Sequence, residues 1–161
     1  MSSNPDVAIG ISNLQPRFTE LDESATDMVE ELLPYAFGTA THGHGLTLDS
    51  TCQTIENLET ILAAASEDIA SRNLTTENDE IRMFLAVFSV YLGEVFRLEH
   101  QGEWLEAHYD ELGTSTLCVR SRSTRVIYVE PFIRVQKRLF DGAEFNVANY
   151  YRTASKLASA A

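Results

Sequence analysis

Ile81-Arg82-Met83-Phe84-Leu85-Ala86-Val87-Phe88-Ser89-Val90-Tyr91-Leu92-Gly93-Glu94-Val95-Phe96 is the stretch from which the rest of the chain can be read. On a helical wheel Ile81, Phe84, Leu85, Phe88, Tyr91, Leu92 and Val95 share one broad face, and Met83, Val87 and Val90 make much of the remainder apolar. A helix this apolar must be enclosed on more than one side. The spacing therefore predicts a buried central helix over residues 76–101, with Thr76 and Asp79 offering a capping box at its start. Gly93 costs about 1 kcal/mol relative to Ala inside a helix, which predicts close approach by another backbone or an aromatic ring. Glu94 falls at the margin of the apolar surface, where a carboxylate has to be paired or protonated. The expected partner is Arg138, with Lys137 and Arg134 beside it as alternatives.

Before the central helix, Leu21, Ala25, Met28, Val29, Leu32 and Leu33 recur at helical spacing, with acidic residues on the other face. Pro34 is expected to end or kink this first helix. The glycine-rich run Gly38-Thr39-Ala40-Thr41-His42-Gly43-His44-Gly45 then reads as a loop. A second amphipathic helix is predicted over residues 50–65, with Cys52, Ile55, Leu58, Ile61 and Leu62 inward and Glu56 and Glu59 outward. Residues 1–18 read as an N-terminal arm, in which Val7, Ile9 and Ile11 alternate as in a short edge strand.

After Gly102 the character changes. Trp104-Leu105-Glu106-Ala107-His108-Tyr109, Thr116-Leu117-Cys118-Val119-Arg120 and Arg125-Val126-Ile127-Tyr128-Val129 read as a three-stranded antiparallel meander. Pro131 then opens a helix closed by Gly142, with Phe132, Val135, Leu139 and Phe140 inward and Arg134, Lys137 and Arg138 outward. A last helix over residues 144–156 carries Phe145, Ala148 and Tyr151 toward the core, with a frayed Ala-Ser run after it. The fold class is α+β: a single domain over residues 1–161, with two amphipathic helices in residues 20–65 and the central helix, meander and C-terminal helices in residues 76–157.

The chain has 12 basic and 24 acidic side chains, a net charge of −12. A field of that sign repels nucleic acid and anionic membranes and favours a basic protein partner. The charge is polarised, with a balance of −17 over residues 1–115 and +5 over residues 116–161. Either the basic tail folds back on the acidic front or the front is a docking face. The acidic faces in residues 20–31 and 56–68 supply the candidate binding surface: Glu20, Asp27, Glu30, Glu31, Glu56 and Glu59, joined by Tyr150.

Catalytic templates are missing: no nucleophile elbow, phosphate-binding glycine loop, dinucleotide fingerprint or H-E-x-x-H. No cofactor and no metal are expected, since His42 and His44 lack the further ligands that a zinc site needs. Cys118 with His108 on the adjacent strand could pose as a thiol and base, but Cys52 and Cys118 both read as small core residues in a reduced, cytoplasmic protein. Of the aromatic residues, Trp104 and Tyr128 read as core, whereas the neighbours Tyr150 and Tyr151 are not expected to point inward together.

Tyr91-Leu92-Gly93-Glu94-Val95, then Trp104, Pro131-Phe132, Val135, Lys137-Arg138-Leu139, Asp141-Gly142 and Tyr150-Tyr151 resemble the pattern of small bacterial domains of unknown function. Those domains have a Y-L-G-E-V helix, a strand with a Trp and a P-F-x-x-V-x-K-R-L segment ending in D-G. The likeness spans roughly residues 80–152. Arg125-Val126-Ile127-Tyr128-Val129-Glu130 departs from it, being less polar than the family's entry to that helix. The resemblance implies no catalytic set. Its general look is similar to that of immunity proteins that neutralise toxins and of single-partner adaptors. The leading expectation is thus a non-enzymatic acidic binding domain. The alternative is a small-molecule binder or enzyme with a site near Glu94 and the sheet, and a homo-oligomer subunit would instead show an exposed apolar patch.

Overall fold

The computed structural model describes residues 15–122 and 127–159. Its described elements run β1 (Arg17–Glu20), α1 (Glu23–His44), α2 (Ile55–Arg72), α3 (Asp79–His100), β2 (Glu103–Tyr109), β3 (Thr114–Arg120), β4 (Tyr128–Val129), α4 (Pro131–Asp141) and α5 (Val147–Ser159), with 3-10 turns at Cys52–Thr54 and Ala143–Phe145. The class is α+β, as the sequence predicts.

The central helix is α3. It starts later than the Thr76 box would place it, because Asn78 is the cap: its side-chain oxygen accepts from the Ile81 N–H at 3.1 Å. Asp79 and Glu80 in the first turn and Arg97 in the last complement the helix dipole. The residues from Val87 to Phe96 are all buried, because α1, α4, α5 and the sheet close around this half of the helix. The Tyr91 hydroxyl accepts from the Ser50 N–H at 3.0 Å and lies 2.9 Å from the Thr54 hydroxyl, which fastens the entry of α2 to the centre.

Pro34 does not end α1. It lies on the exposed side, so the bond it removes frees only the carbonyl of the equally exposed Glu30. Beyond it, Ala36 and Ala40 are fully buried, and Phe37 meets Tyr91 edge-on with ring centroids 6.0 Å apart. Packing on α3 thus carries the helix through the segment expected to be a loop. Gly45, at φ 64°, ends it. Helix α2 likewise outruns its predicted end, and its entry turn leaves Cys52 exposed, against the core position expected for it.

The sheet is antiparallel in the order β1-β2-β3-β4. The predicted meander is β2 to β4, with residues 125 and 126 of its third strand outside the described residues. A fourth strand, β1, pairs with the outer side of β2, Phe18 opposite Ala107 and Glu20 opposite Leu105. This strand takes Arg17 and Phe18 out of the predicted arm, whose Val7, Ile9 and Ile11 lie outside the described residues. Alternation splits the sheet between two clusters. Trp104, Val119 and Val129 join the helices, whereas Leu105, Ala107, Tyr109, Cys118 and Tyr128 form a second cluster with Phe18. Pro131 occupies the first turn of α4 as predicted, and α5 runs on to Ser159. Among the described residues no helix is long and apolar enough to cross a membrane.

Candidate functional site

The packing reason for Gly93 is Trp104. A Cβ at position 93 would stand 2.2 Å from Cη2 and 2.4 Å from Cζ2 of the indole. The same ring serves the next residue, its Nε1 donating to Glu94 Oε2 at 2.7 Å. Arg97, one turn along α3, completes a bidentate pair, with Nε 2.7 Å from Oε2 and Nη2 2.9 Å from Oε1. Glu94 is 7% exposed. Burial works against its charge, but the Arg97 and Trp104 donors outweigh burial and hold the carboxyl below its usual value. It is therefore an ionised structural anchor, unsuited to proton transfer near neutrality.

Arg138 is not its partner. Pro131, Val135, Arg138 and Leu139 form the buried face of α4, so the guanidinium expected outside points inward. There its Nε donates to Glu59 Oε2 at 2.8 Å, and Glu59 Oε1 accepts from the Val147 N–H at 2.9 Å, at the start of α5. Glu59 and Arg138 are only 8% and 5% exposed. Glu59 thus leaves the predicted binding surface: it follows Leu58 and lies one turn from Ile55, on the edge of the stripe that α2 buries.

Tyr150 leaves that surface too. Both it and Tyr151 are buried, because α5 is covered on two sides. The Tyr150 hydroxyl accepts from the Glu130 N–H at 3.2 Å, and the Arg134 guanidinium lies 4.2 Å from its ring centroid. The Tyr151 hydroxyl donates to the Glu99 carboxylate.

The remaining candidates stay outside. Glu20, Asp27, Glu30, Glu31 and Glu56 are exposed, and of these Glu56 is engaged by Arg152. The two flanks of α1 differ in character. On one, a cleft of about 580 Å³ runs between α1, α3 and the start of β2, walled by Glu20, Glu30 and Glu103, with Trp104 and the Glu94–Arg97 pair inside. On the other, a groove of about 860 Å³ has Leu32, Tyr35, Met83, Phe84, Val87 and Phe88 along it and Glu31, Asp79 and Glu80 at its rim.

Neither a protein-family model nor a curated protein matches the sequence. The fold is similar to a crystal structure from Bacteroides thetaiotaomicron VPI-5482, with a TM-score of 0.60 and 13% identity over 87% of this chain. The match covers 47% of that protein, so this chain spans about half its length. At this identity the likeness speaks for the fold alone.

The thiol-base pair of Cys118 and His108 does not form. Cys118 lies opposite Leu105, His108 opposite Ser115, and the offset of three residues along β2 puts the two on opposite faces of the sheet. Burial pushes the Cys118 thiol up to about 12, and His108 lies 2.8 Å from the Thr19 hydroxyl.

A polar cluster not foreseen from the sequence joins the end of α3 to α5. Glu99 accepts from Tyr151 and from Ser155 at 3.2 Å, and His100 Nε2 lies 2.8 Å from the Ser155 hydroxyl. The Cys52 thiol lies near the same carboxylate, and partial desolvation, followed by that charge, raises it away from a reactive thiolate. Glu99, His100, Tyr151 and Ser155 come from helices distant in sequence, and only the isolated polar positions on otherwise apolar faces hint at them.

Proposed function

We propose that this chain is a non-enzymatic binding protein that uses the acidic surface of α1 and its flanks to engage a basic protein. A neutraliser or adaptor of the immunity type is the concrete form, in keeping with the resemblance of residues 80–152. The supporting observation is the division of the carboxylates. Glu59 and Glu94 are held inside by Arg138 and Arg97. Glu20, Asp27, Glu30 and Glu31 instead stand outside along α1 and its entry, and no ion pair compensates them among the described residues. Uncompensated charge of one sign speeds encounter with an oppositely charged partner and selects against like-charged ones. The two free thiols, Cys52 and Cys118, go with a cytoplasmic setting.

The test is affinity capture from the native cell at low and high salt, with the wild type beside Asp27→Lys/Glu30→Lys/Glu31→Lys. One basic protein, retained at low salt and lost with charge reversal, is the expected result. No retained protein, together with a small molecule that raises the melting temperature, would overturn it. That second outcome would favour a ligand binder, for which the cleft of about 580 Å³ beside Trp104 is the specific observation.

A further inference from the structure

The groove between α1 and the N-terminal half of α3 leaves apolar side chains open to solvent. Four large hydrophobic side chains stand most exposed among the described residues, and two of them, Tyr35 at 64% and Met83 at 56%, line this groove. They come from its two walls, Tyr35 from α1 and Met83 from α3, and Leu32, Phe84, Val87 and Phe88 line the groove with them. Its length follows from the helices that wall it. The lining runs from Glu31 to Thr39 on α1 and from Asp79 to Phe88 on α3, which at the α-helical rise is about 12–14 Å, or roughly two to three turns. An amphipathic helix with anchors at i, i+3 or i+4 and i+7 spans that distance. The rim is acidic, with Glu31 on one side and Glu80 on the other, while Asp79 is engaged by Arg82.

Resting on the reading of an acidic binding protein, we propose that this groove is the seat of the partner: an amphipathic helix with an apolar stripe flanked by Lys or Arg. Unbranched Met83 lets the groove wall adapt to different apolar anchors, and Glu31 and Glu80 face the cationic flanks. Two other occupants fit less well. A second copy of this chain would bring the same acidic rim against Glu31 and Glu80. Residues 1–14 contain Asp6 and no Lys or Arg, so they bring no countercharge.

The probe is a fluorescein-labelled synthetic helix of about 16 residues, leucine at i, i+3, i+4 and i+7 positions and lysine elsewhere. A Leu/Glu version of the same pattern and a Leu/Lys peptide with scrambled spacing serve as controls. Anisotropy is read at low and high salt for the wild type, Tyr35→Arg/Met83→Arg, and Glu20→Lys/Glu30→Lys, the last altering the opposite flank. Both variants change exposed residues, and a retained melting temperature certifies their folding. The patterned Leu/Lys peptide is expected to bind the wild type in a salt-sensitive manner and to lose about tenfold or more in affinity with Tyr35→Arg/Met83→Arg. Glu20→Lys/Glu30→Lys should weaken it only slightly, and neither control peptide should bind comparably.

Unchanged binding to Tyr35→Arg/Met83→Arg, with a large loss in Glu20→Lys/Glu30→Lys, would overturn the groove and leave the acidic reading standing. Equal binding of the Leu/Glu peptide would overturn both. A wild-type dimer in sedimentation that Tyr35→Arg/Met83→Arg dissolves would replace the partner helix by a second copy of this chain.

Discussion

Trp104 occupies the volume that a side chain at position 93 would need, and through the same ring it donates a hydrogen bond to Glu94. One aromatic side chain from β2 therefore explains both Gly93 and Glu94 in the apolar run of α3. The glycine admits the indole, and the indole nitrogen helps hold the carboxylate charged.

Gly93→Ala should destabilise the protein. At an open helical site the change is worth about 1 kcal/mol in the helix's favour, but here the added methyl group meets a rigid ring at 2.2 Å. Overpacking of this kind costs roughly 1–3 kcal/mol. Gly38, also inside a helix, has open space around the equivalent position, so Gly38→Ala should raise stability. Urea unfolding of the two variants gives opposite signs if Trp104 is the cause.

Glu94→Gln should lower stability by about 1–3 kcal/mol, since it weakens charge-assisted bonds from Arg97 and Trp104 and leaves the guanidinium less well matched. The pH dependence has a definite sign. The folded carboxyl lies below its ordinary value of 4.5, so its contribution is complete above that value and is lost as pH falls through the lower folded one. Melting temperatures of wild type and Glu94→Gln should therefore converge on acidification below about pH 4.5. A gap that persists into strong acid would show that the charge is not what the site supplies.

Arg138→Leu should cost about 3–5 kcal/mol, because it strands the Glu59 carboxylate inside the protein. Adding Glu59→Leu should restore part of that loss. Recovery stays incomplete, as the Val147 N–H at the head of α5 then loses its acceptor. A double-mutant cycle by chemical denaturation measures the coupling, and near-additivity would refute a buried pair.

The two thiols should differ in accessibility. Cys52 is exposed, whereas Cys118 is fully buried with its thiol pushed up to about 12. A thiol reagent at mildly alkaline pH should label Cys52 in the native protein, slowly because partial desolvation and then the Glu99 charge hold it protonated. Cys118 should react only in denaturant, as Cys52→Ser makes plain by mass spectrometry. Native labelling of Cys118 would indicate that the second sheet cluster opens.

Much of the fold was legible because its signals are local. The apolar run of α3, Pro131 at the head of α4 and the alternating segments that became β2 and β3 each declare an element within a few residues. Strand β1 was not legible. It is four residues long, and its membership comes from pairing with a strand more than 80 positions away. Pro34 misled for a related reason, since the packing of Ala36 and Ala40 on α3 outweighs one lost hydrogen bond.

By itself the sequence determined the α+β class, the central place of α3, the need for a close neighbour at Gly93 and the acidic character of the front. The tertiary structure alone decided which charges are inside. Glu94 chose Arg97, Arg138 turned inward to Glu59, and Tyr150 went into the core while Glu30 and Glu31 stayed out. Periodicity marks the middle of a helix's apolar face, but the width of that face depends on how many other helices cover it. A charged residue at its margin is buried or exposed according to a neighbour that is remote in sequence.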